Sequence, residues 1–518
     1  MSIADVVRTA ADRYGPAIAL EDDHATRTFT ELSDRAHALA GGLHNLGITA
    51  GTTVVVLLGN SVTAVEVDLA LAIGGLVRVA VNPRVGPADW ERIVADCTPG
   101  ALIVDTRIDG AAEFTARTIV PTVITVGGAS SDRPSLDEVA ARAPRHAKMP
   151  TPDADSLCAL HYSSGTTGVP KGARRTHANR LASLQAMREQ VLAGTLDGGD
   201  PAVFLHAGPV IHTSGLFVLP FLEAGGRQIL LDHVGPAGLL DAVAAHSVTH
   251  TALVPTVVAR LLDFDDARLS VMRRIRMLAY AGAPMPVEHI RQAYHRITPN
   301  LVQYYGMVEA IPPLTVLTAD DHRRGVLHDA DVLGTVGRAC PEVVIEFRAD
   351  DACCPDGEIG ELVVSGAAVS PGYHNADTRT DLGKSHVDGF LYSGDLGYRD
   401  AGGYIHLTGR SKDMIITGGY NVYPREVEEA ISAIPGVDDV VVVGLPDEMW
   451  GQRIVAAYTS ADADVTDAAV LADSRTRLPD YKRPKAVHRV DRLPLTALGK
   501  VDRTAAAVLL DALATAAS

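Results

Sequence analysis

Residues 162–172 read Tyr162-Ser163-Ser164-Gly165-Thr166-Thr167-Gly168-Val169-Pro170-Lys171-Gly172. Four hydroxyls beyond the tyrosine, three glycines and a lysine fall within eleven residues. Glycine lets backbone N–H groups approach an anion, hydroxyls add donors and lysine offsets charge, so the segment predicts a cradle for phosphate. The G-x-x-x-x-G-K-[ST] loop is the obvious competitor, and it fails on both sides of the lysine, where Pro170 and Gly172 stand. A plain Ser/Gly/Thr surface loop leaves the density of donors beside a lysine unexplained.

Such a loop needs a scaffold, and the first four hundred residues alternate short apolar runs with longer amphipathic ones. Residues 53–58, 101–105, 203–206, 228–231, 250–254, 277–281 and 301–305 read as strands. Residues 61–73, 178–193, 235–245 and 287–296 read as helices. This alternation predicts parallel sheets covered by helices. After about Val332 short strands separated by Gly, Asp and Asn dominate, as at 342–348, 360–365 and 403–407, which predicts a smaller β-rich subdomain. From Asp413 a compact mixed unit follows, with a Gly-rich turn, a helix over 424–433, strands near 440–444 and 455–459, and a last helix.

Composition narrows the class. At 518 residues the chain exceeds the size of one growing core, so two or more domains are expected. Lys and Arg number 46 against 63 Asp and Glu, and the net charge of −17 argues against nucleic acid as a partner. Cys97, Cys158, Cys340, Cys353 and Cys354 form no C-x-x-C pair and read as reduced thiols. No signal-peptide pattern opens the chain, and the best apolar stretch, Leu69 to Val77, is too short to span a bilayer and ends at Arg78. A cytoplasmic location is expected.

The 162–172 segment resembles the phosphate loop of the acyl-CoA synthetase, adenylation-domain and firefly-luciferase superfamily, closest in look to acyl- or aryl-CoA ligases. The resemblance runs from Thr28-Phe29-Thr30-Glu31-Leu32 to Gly499-Lys500, with several motifs in the family's order. The implied fold is α/β: a large N-terminal domain of two parallel-type sheets with flanking helices plus a β-rich subdomain, and a small mobile α+β C-terminal domain. The implied boundaries are 1–409, a hinge at 410–412 around Lys412, and 413–518.

The resemblance implies roles residue by residue. Ser163, Ser164, Gly165, Thr166, Thr167, Gly168 and Lys171 would surround the ATP phosphates. Gly282-Ala283-Pro284 would lie against adenine, and Tyr305-Gly306-Met307-Val308-Glu309 resembles the family's Y-G-x-T-E motif, with Glu309 on Mg2+. Val308 departs from that motif: valine keeps the shape of threonine and deletes its hydroxyl. Asp395, in Tyr392-Ser393-Gly394-Asp395, would accept the ribose hydroxyls, with Arg410 as a second nucleotide contact. His212, in Pro209-Val210-Ile211-His212-Thr213-Ser214-Gly215, stands where the family gates the acyl site. Lys500 matches the catalytic lysine, and Gly418, Gly419, Tyr420, Trp450 and Lys482 fall on the thiol path.

The implied chemistry has two half-reactions: ATP and an acid give an acyl-adenylate with release of pyrophosphate, then a thiol, that of CoA, takes the acyl group. The candidate pocket segments 212–215, 254–256, 281–282 and 307–313 are largely apolar and hold no arginine, which fits an aryl, cinnamoyl-like or medium aliphatic acid. Three alternatives stay open: loading of a carrier protein, activation of a non-carboxylic acid such as nitrite for transfer to an amine, and a non-catalytic nucleotide-binding protein. The sequence leaves the oligomeric state open. Lys500→Ala is expected to abolish adenylate formation while largely sparing transfer from preformed adenylate, and Gly419→Leu to do the reverse. Single-turnover assays of the two half-reactions check this, and equal loss of both steps in both variants contradicts it.

Overall fold

The computed structural model describes residues 2–127, 133–143, 151–163, 170–197, 201–232, 234–350, 352–376, 385–496 and 501–516. Ser164, Gly165, Thr166, Thr167, Gly168 and Lys500 lie outside the described residues, and of Ser163 only the backbone is described.

A nine-stranded sheet and a six-stranded sheet carry the N-terminal part. In the nine-stranded sheet, Ile18–Glu21, Arg227–Leu230, Val203–His206, His250–Leu253, Met277–Tyr280 and Leu301–Tyr305 lie side by side and parallel. Antiparallel strands close both edges. The six-stranded sheet orders Thr122–Val126, Ala101–Asp105, Thr53–Leu57, Val77–Ala80, Leu157–Ser163 and Lys171–Thr176, parallel except for the last pair.

Alternation along each strand sorts the cores. On Thr53–Leu57, Val54 and Val56 face one cluster, which also holds Leu20 and Leu230 of the other sheet and the helices Phe29–Asn45 and Val62–Ile73. Val55 and Leu57 face a second cluster around Trp90 and Phe114. A third core covers the far face of the nine-stranded sheet under the helices Pro236–Ala245 and Val287–Arg296. Helices therefore lie between the sheets and outside both. Val62–Ile73 is buried at every position from Ala64 onward, Glu66 and Asp68 included, so its two carboxylates need partners inside the protein.

The strands expected at 101–105, 203–206 and 301–305 and the helix at 287–296 have those limits. Others shift. The helix expected over 178–193 ends as His177–Ala186 and runs into a wider turn, Met187–Val191. The strand expected at 403–407 begins later, as Ile405–Arg410, because Gly403 has φ +79 and completes the preceding turn. Val77–Ala80 and Lys171–Thr176, read as no element in the sequence, are strands.

The β-rich part forms a separate sheet in which Phe390–Arg399 pairs with both Gly360–Gly366 and Ile405–Arg410. The C-terminal part folds Tyr420–Val422, Ile415–Thr417, Gly451–Tyr458, Val440–Asp447 and Ala486–Arg489 into one sheet, with the helices Pro424–Ser432, Asp467–Arg477 and Arg503–Ala516. Arg425 Nη2 donates to Gly334 O at 3.1 Å and ties it to the N-terminal part. Among the described residues no helix is long and apolar enough to cross a membrane.

Candidate active site

Parallel strands deliver their following loops to the same sheet edge, where ligands collect in folds of this kind. Met277–Tyr280 and Leu301–Tyr305 are adjacent and parallel, so Gly282-Ala283-Pro284 and Gly306-Met307-Val308-Glu309 emerge side by side. Gly282 has φ +92, a conformation that glycine adopts without strain. Gly306 has a different reason for being glycine: a Cβ there would stand 2.7 Å from Pro312 Cγ. The turn closes with Met307 N donating to Ala310 O at 3.0 Å.

Asp395 joins three pieces of the chain. It sits in Phe390–Arg399 directly across from Arg410 in Ile405–Arg410. Its Oδ1 accepts from Arg410 Nε at 2.9 Å and its Oδ2 from the Tyr305 hydroxyl at 2.5 Å. The turn before it is fixed by Gly394 N donating to Glu361 Oε1 at 2.9 Å and by Ser393 Oγ donating to Leu362 O at 2.6 Å. Burial, then the Asp395 carboxylate, hold the Tyr305 phenol well above its ordinary range, so it stays a donor. The Lys412 ammonium is pulled below its ordinary value chiefly by burial; Arg410 and Lys171 also lower it, against Asp413 and Asp395. Lys171 and Arg410 thus both act on Lys412, with Asp395 and Asp413 beside them, a concentration of cations suited to a polyphosphate.

Glu309 belongs to the same neighbourhood. Its Oε1 accepts from the Tyr373 hydroxyl at 2.6 Å, and Ser370 N donates to its backbone carbonyl at 2.8 Å. Burial and the Glu309 carboxylate raise the Tyr373 phenol, while Arg410, the partner of Asp395, lowers it. Among the described residues no group of three or more His, Cys, Asp or Glu stands ready for a metal. A single carboxylate steadied by a phenol suits a hard cation that takes its remaining oxygens from phosphates and water.

His212 follows a strand and precedes the turn Thr213–Phe217. An added Cβ on Gly215 would stand 1.9 Å from Val210 O, so the loop closes this tightly only with glycine there. The loop is pinned from below by His206. Gln228 Nε2 donates to Val218 O at 3.3 Å, so its Oε1 accepts from His206 Nε2 at 3.0 Å. His206 Nδ1 then accepts from the Ser214 hydroxyl at 2.8 Å. The His212 ring meets His161 edge to face at 5.5 Å, and burial, with Arg175 and His212 adding to it, holds His161 well below its ordinary value.

His212 also walls a cavity of about 70 Å³, whose largely apolar lining includes charges that the candidate pocket segments do not supply. The segments searched for arginine hold none, but Arg78, Arg175 and Arg180 reach the cavity from the six-stranded sheet and the helix after it. Asp68 accepts from Arg180 Nη1 at 3.1 Å and lies 3.0 Å from Arg78 Nη1. Arg175 Nη2 donates to Val308 O at 3.1 Å. The signal was present in the sequence as charges interrupting apolar runs: Asp68 inside 62–73, and Arg78 inside 76–81. Tyr373 left no such mark.

The residues expected on the thiol path gather in the C-terminal part. Gly418 and Gly419 have φ +57 and +82, and Gly418 N donates to Trp450 O at 2.8 Å. Exposed Tyr420 stacks on Tyr481 with ring centres 4.8 Å apart, and Lys485 Nζ lies 4.6 Å from the Trp450 ring centre. Lys482 bonds Glu426; burial lowers its ammonium, and that carboxylate outweighs burial and raises it.

These features are those of an enzyme that handles a nucleotide, and the chain belongs to the AMP-binding enzyme family: the family's model matches residues 7–374, and the AMP-binding enzyme C-terminal domain matches 426–500. It is 34% identical to a feruloyl-CoA synthase of Amycolatopsis sp over 94% of both chains, and 32% identical to a sulfoacetate–CoA ligase of Cupriavidus necator over 96% of this chain and 95% of that one. Among solved structures, the amide bond synthetase McbA from Marinactinospora thermotolerans superposes with a TM-score of 0.86 at 28% identity, covering 98% of this chain and 99% of that one.

The neutral His206 that positions the site makes stability depend on pH. Burial pulls it down to about 4, against its hydrogen bonds with Gln228 and Ser214. Between 6.5 and about 4 the unfolded chain binds protons that the folded chain refuses, so stability falls as pH falls through that window. His206→Gln is expected to reduce the slope of unfolding free energy against pH near pH 5 by about 1.4 kcal/mol per pH unit. Urea unfolding across that range checks this, and an unchanged slope contradicts it.

Proposed function

We propose that this chain is an AMP-forming acid–thiol ligase, which activates a small acid with ATP and passes the acyl group to the thiol of CoA. The observation that carries the reading is the Tyr305–Asp395–Arg410 contact with Lys171 and Lys412 beside it, next to the loop that bears Glu309. The curated relatives, named as CoA ligases or synthetases, support the same reading.

In the first step a carboxylate oxygen attacks the α-phosphorus, the bond to the bridging oxygen breaks, and pyrophosphate leaves. Asp395 accepts the ribose hydroxyls and Arg410 orients its carboxylate. Lys171, with the hydroxyls and glycines of 163–168, offsets the negative charge of the phosphates. Glu309 would hold Mg2+, whose charge neutralises phosphate oxygens. Lys500 approaches the carboxylate and α-phosphate and brings the two reactants together. In the second step the thiolate sulfur attacks the acyl carbon, the acyl–phosphate C–O bond breaks, AMP leaves, and the thiol proton passes to solvent. The exposed rings of Tyr420 and Trp450 and the ammonium of Lys482 form the surface along which a pantetheine arm would run past Gly418 and Gly419.

The division 1–409, 410–412 and 413–518 suits this alternation. Arg410 ends a strand, the short turn Ser411–Asp413 follows, and a turn of this kind absorbs a large backbone change at Lys412. A second reading, transfer to an amine, is favoured by the likeness to an amide bond synthetase. Release of AMP with CoA against release with an amine separates the two.

Asp395→Asn is expected to raise the KM for ATP about 10- to 100-fold in ATP–pyrophosphate exchange, since one charge-assisted hydrogen bond contributes about 1.5–3 kcal/mol. The KM for the acid should change little. An unchanged KM for ATP would overturn the assignment.

A further inference from the structure

The cavity beside His212 has a wall that an apolar acid would not require. Three guanidiniums, those of Arg78, Arg175 and Arg180, face it with one carboxylate, Asp68, between them. Arg78 and Arg180 both pair with that carboxylate. The surplus, three cations less one anion, is two positive charges. Among the described residues Arg175 pairs with no carboxylate. Its one hydrogen bond goes to Val308 O, and its Nε is shut off from solvent without a partner. Burial, then the neighbouring Arg78, pull the guanidinium down to about 10 against the opposing pull of Cys158 and Glu309, so it remains charged at neutral pH.

A charge held out of water without a close ion pair is costly; Glu309 acts on Arg175 from beyond ion-pair distance, and an anion in the cavity offsets the cost that is left. The space is about 70 Å³, near half the roughly 150 Å³ of an apolar cavity that takes a benzene ring. A ring does not fit it as it stands, whereas a carboxylate, sulfonate or nitrite group does. Val308 O ties Arg175 to the loop carrying Glu309, so an anion on Arg175 lies beside that loop.

We infer that the acid substrate of this enzyme carries a compact oxyanion that is held in this cavity by Arg175. The inference rests on the ligase reading and names the substrate class for the same site. Two kinds of acid present this chemistry. In a short acid with a second charged group, the distal carboxylate or sulfonate meets Arg175 while the other carboxylate reacts. In an acid as small as nitrite, the reacting oxyanion itself is held there.

The test is ATP–pyrophosphate exchange by the full wild-type chain with malonate, succinate, sulfoacetate and nitrite, each against isovalerate and isocaproate, whose branched alkyl ends match a carboxylate in bulk. The expected result is a kcat/KM for at least one oxyanion acid about tenfold or more above both alkyl acids, with the ratio falling below about threefold in Arg175→Gln. Preference for the first three acids assigns the distal group; preference for nitrite assigns the reacting group. A second readout needs no turnover: the preferred acid raises the thermal midpoint of the wild type but not of Arg175→Met. Alkyl acids that match or exceed the oxyanion acids overturn the inference and leave the ligase reading standing, as does a preference that survives in Arg175→Gln. Absence of exchange with all of these acids likewise overturns the inference, and the ligase reading falls with it only if aryl and longer aliphatic acids give no exchange either.

Discussion

The carboxylate of Asp395, buried and held at 2.5 Å by Tyr305 and at 2.9 Å by Arg410, is the contact on which the rest of the site depends. Tyr305 ends a strand of the nine-stranded sheet, Asp395 lies in the β-rich sheet, and Arg410 is the last residue before the turn into the C-terminal part. Three units with separate cores meet at one anion. A buried carboxylate demands donors, and those available here come from elements that would otherwise have little reason to keep a fixed relation. Arg410 also acts electrostatically on Tyr373, the phenol that bonds Glu309, so the two carboxylates share one set of neighbours.

The second constraint is the burial of charge between the two N-terminal sheets. Helix Val62–Ile73 brings Glu66 and Asp68 into the interior, and each is met by two arginines: Arg27 and Arg35 for Glu66, Arg78 and Arg180 for Asp68. Breaking such a pair leaves a buried charge uncompensated, so the arrangement is rigid and fixes the strands that line the cavity. Arg175 is the exception, a cation in the same wall that bonds a backbone carbonyl and feels Glu309 without forming an ion pair with it. The tight loop bearing His212 closes the opposite wall, pinned by the neutral His206 below it.

Much of this was legible in the residues. Ala101–Asp105, Val203–His206 and Leu301–Tyr305 read as strands because strands buried on both faces are uninterrupted apolar runs. The same rule hid Val77–Ala80, where Arg78 breaks the run, and Lys171–Thr176, where Lys171, Arg174 and Arg175 make an edge strand look like a loop. The arginines that define the cavity were therefore hidden: Arg78 broke an apolar run, and Arg175 stood in a segment read as no element. Asp395, Arg410 and Glu309 were legible from their motifs, but the phenols of Tyr305 and Tyr373 that hold two of them follow from spatial proximity over 90 and 64 residues of sequence. The gathering of Gly418, Gly419, Tyr420 and Trp450 follows from pairing of Ile415–Thr417 with Tyr420–Val422 and with Gly451, and the stacking of Tyr420 on Tyr481 brings Lys482 beside them.

The central claim is that Asp395, Glu309, Lys171 and the 162–172 segment surround one nucleotide. A crystal structure of the full chain with a non-hydrolysable ATP analogue and Mg2+ tests it most directly. The account predicts both ribose hydroxyls within hydrogen-bond distance of Asp395, with the phosphates between Lys171 and Glu309. A nucleotide bound in a cavity that lacks Asp395, or phosphates turned away from Glu309, would contradict it.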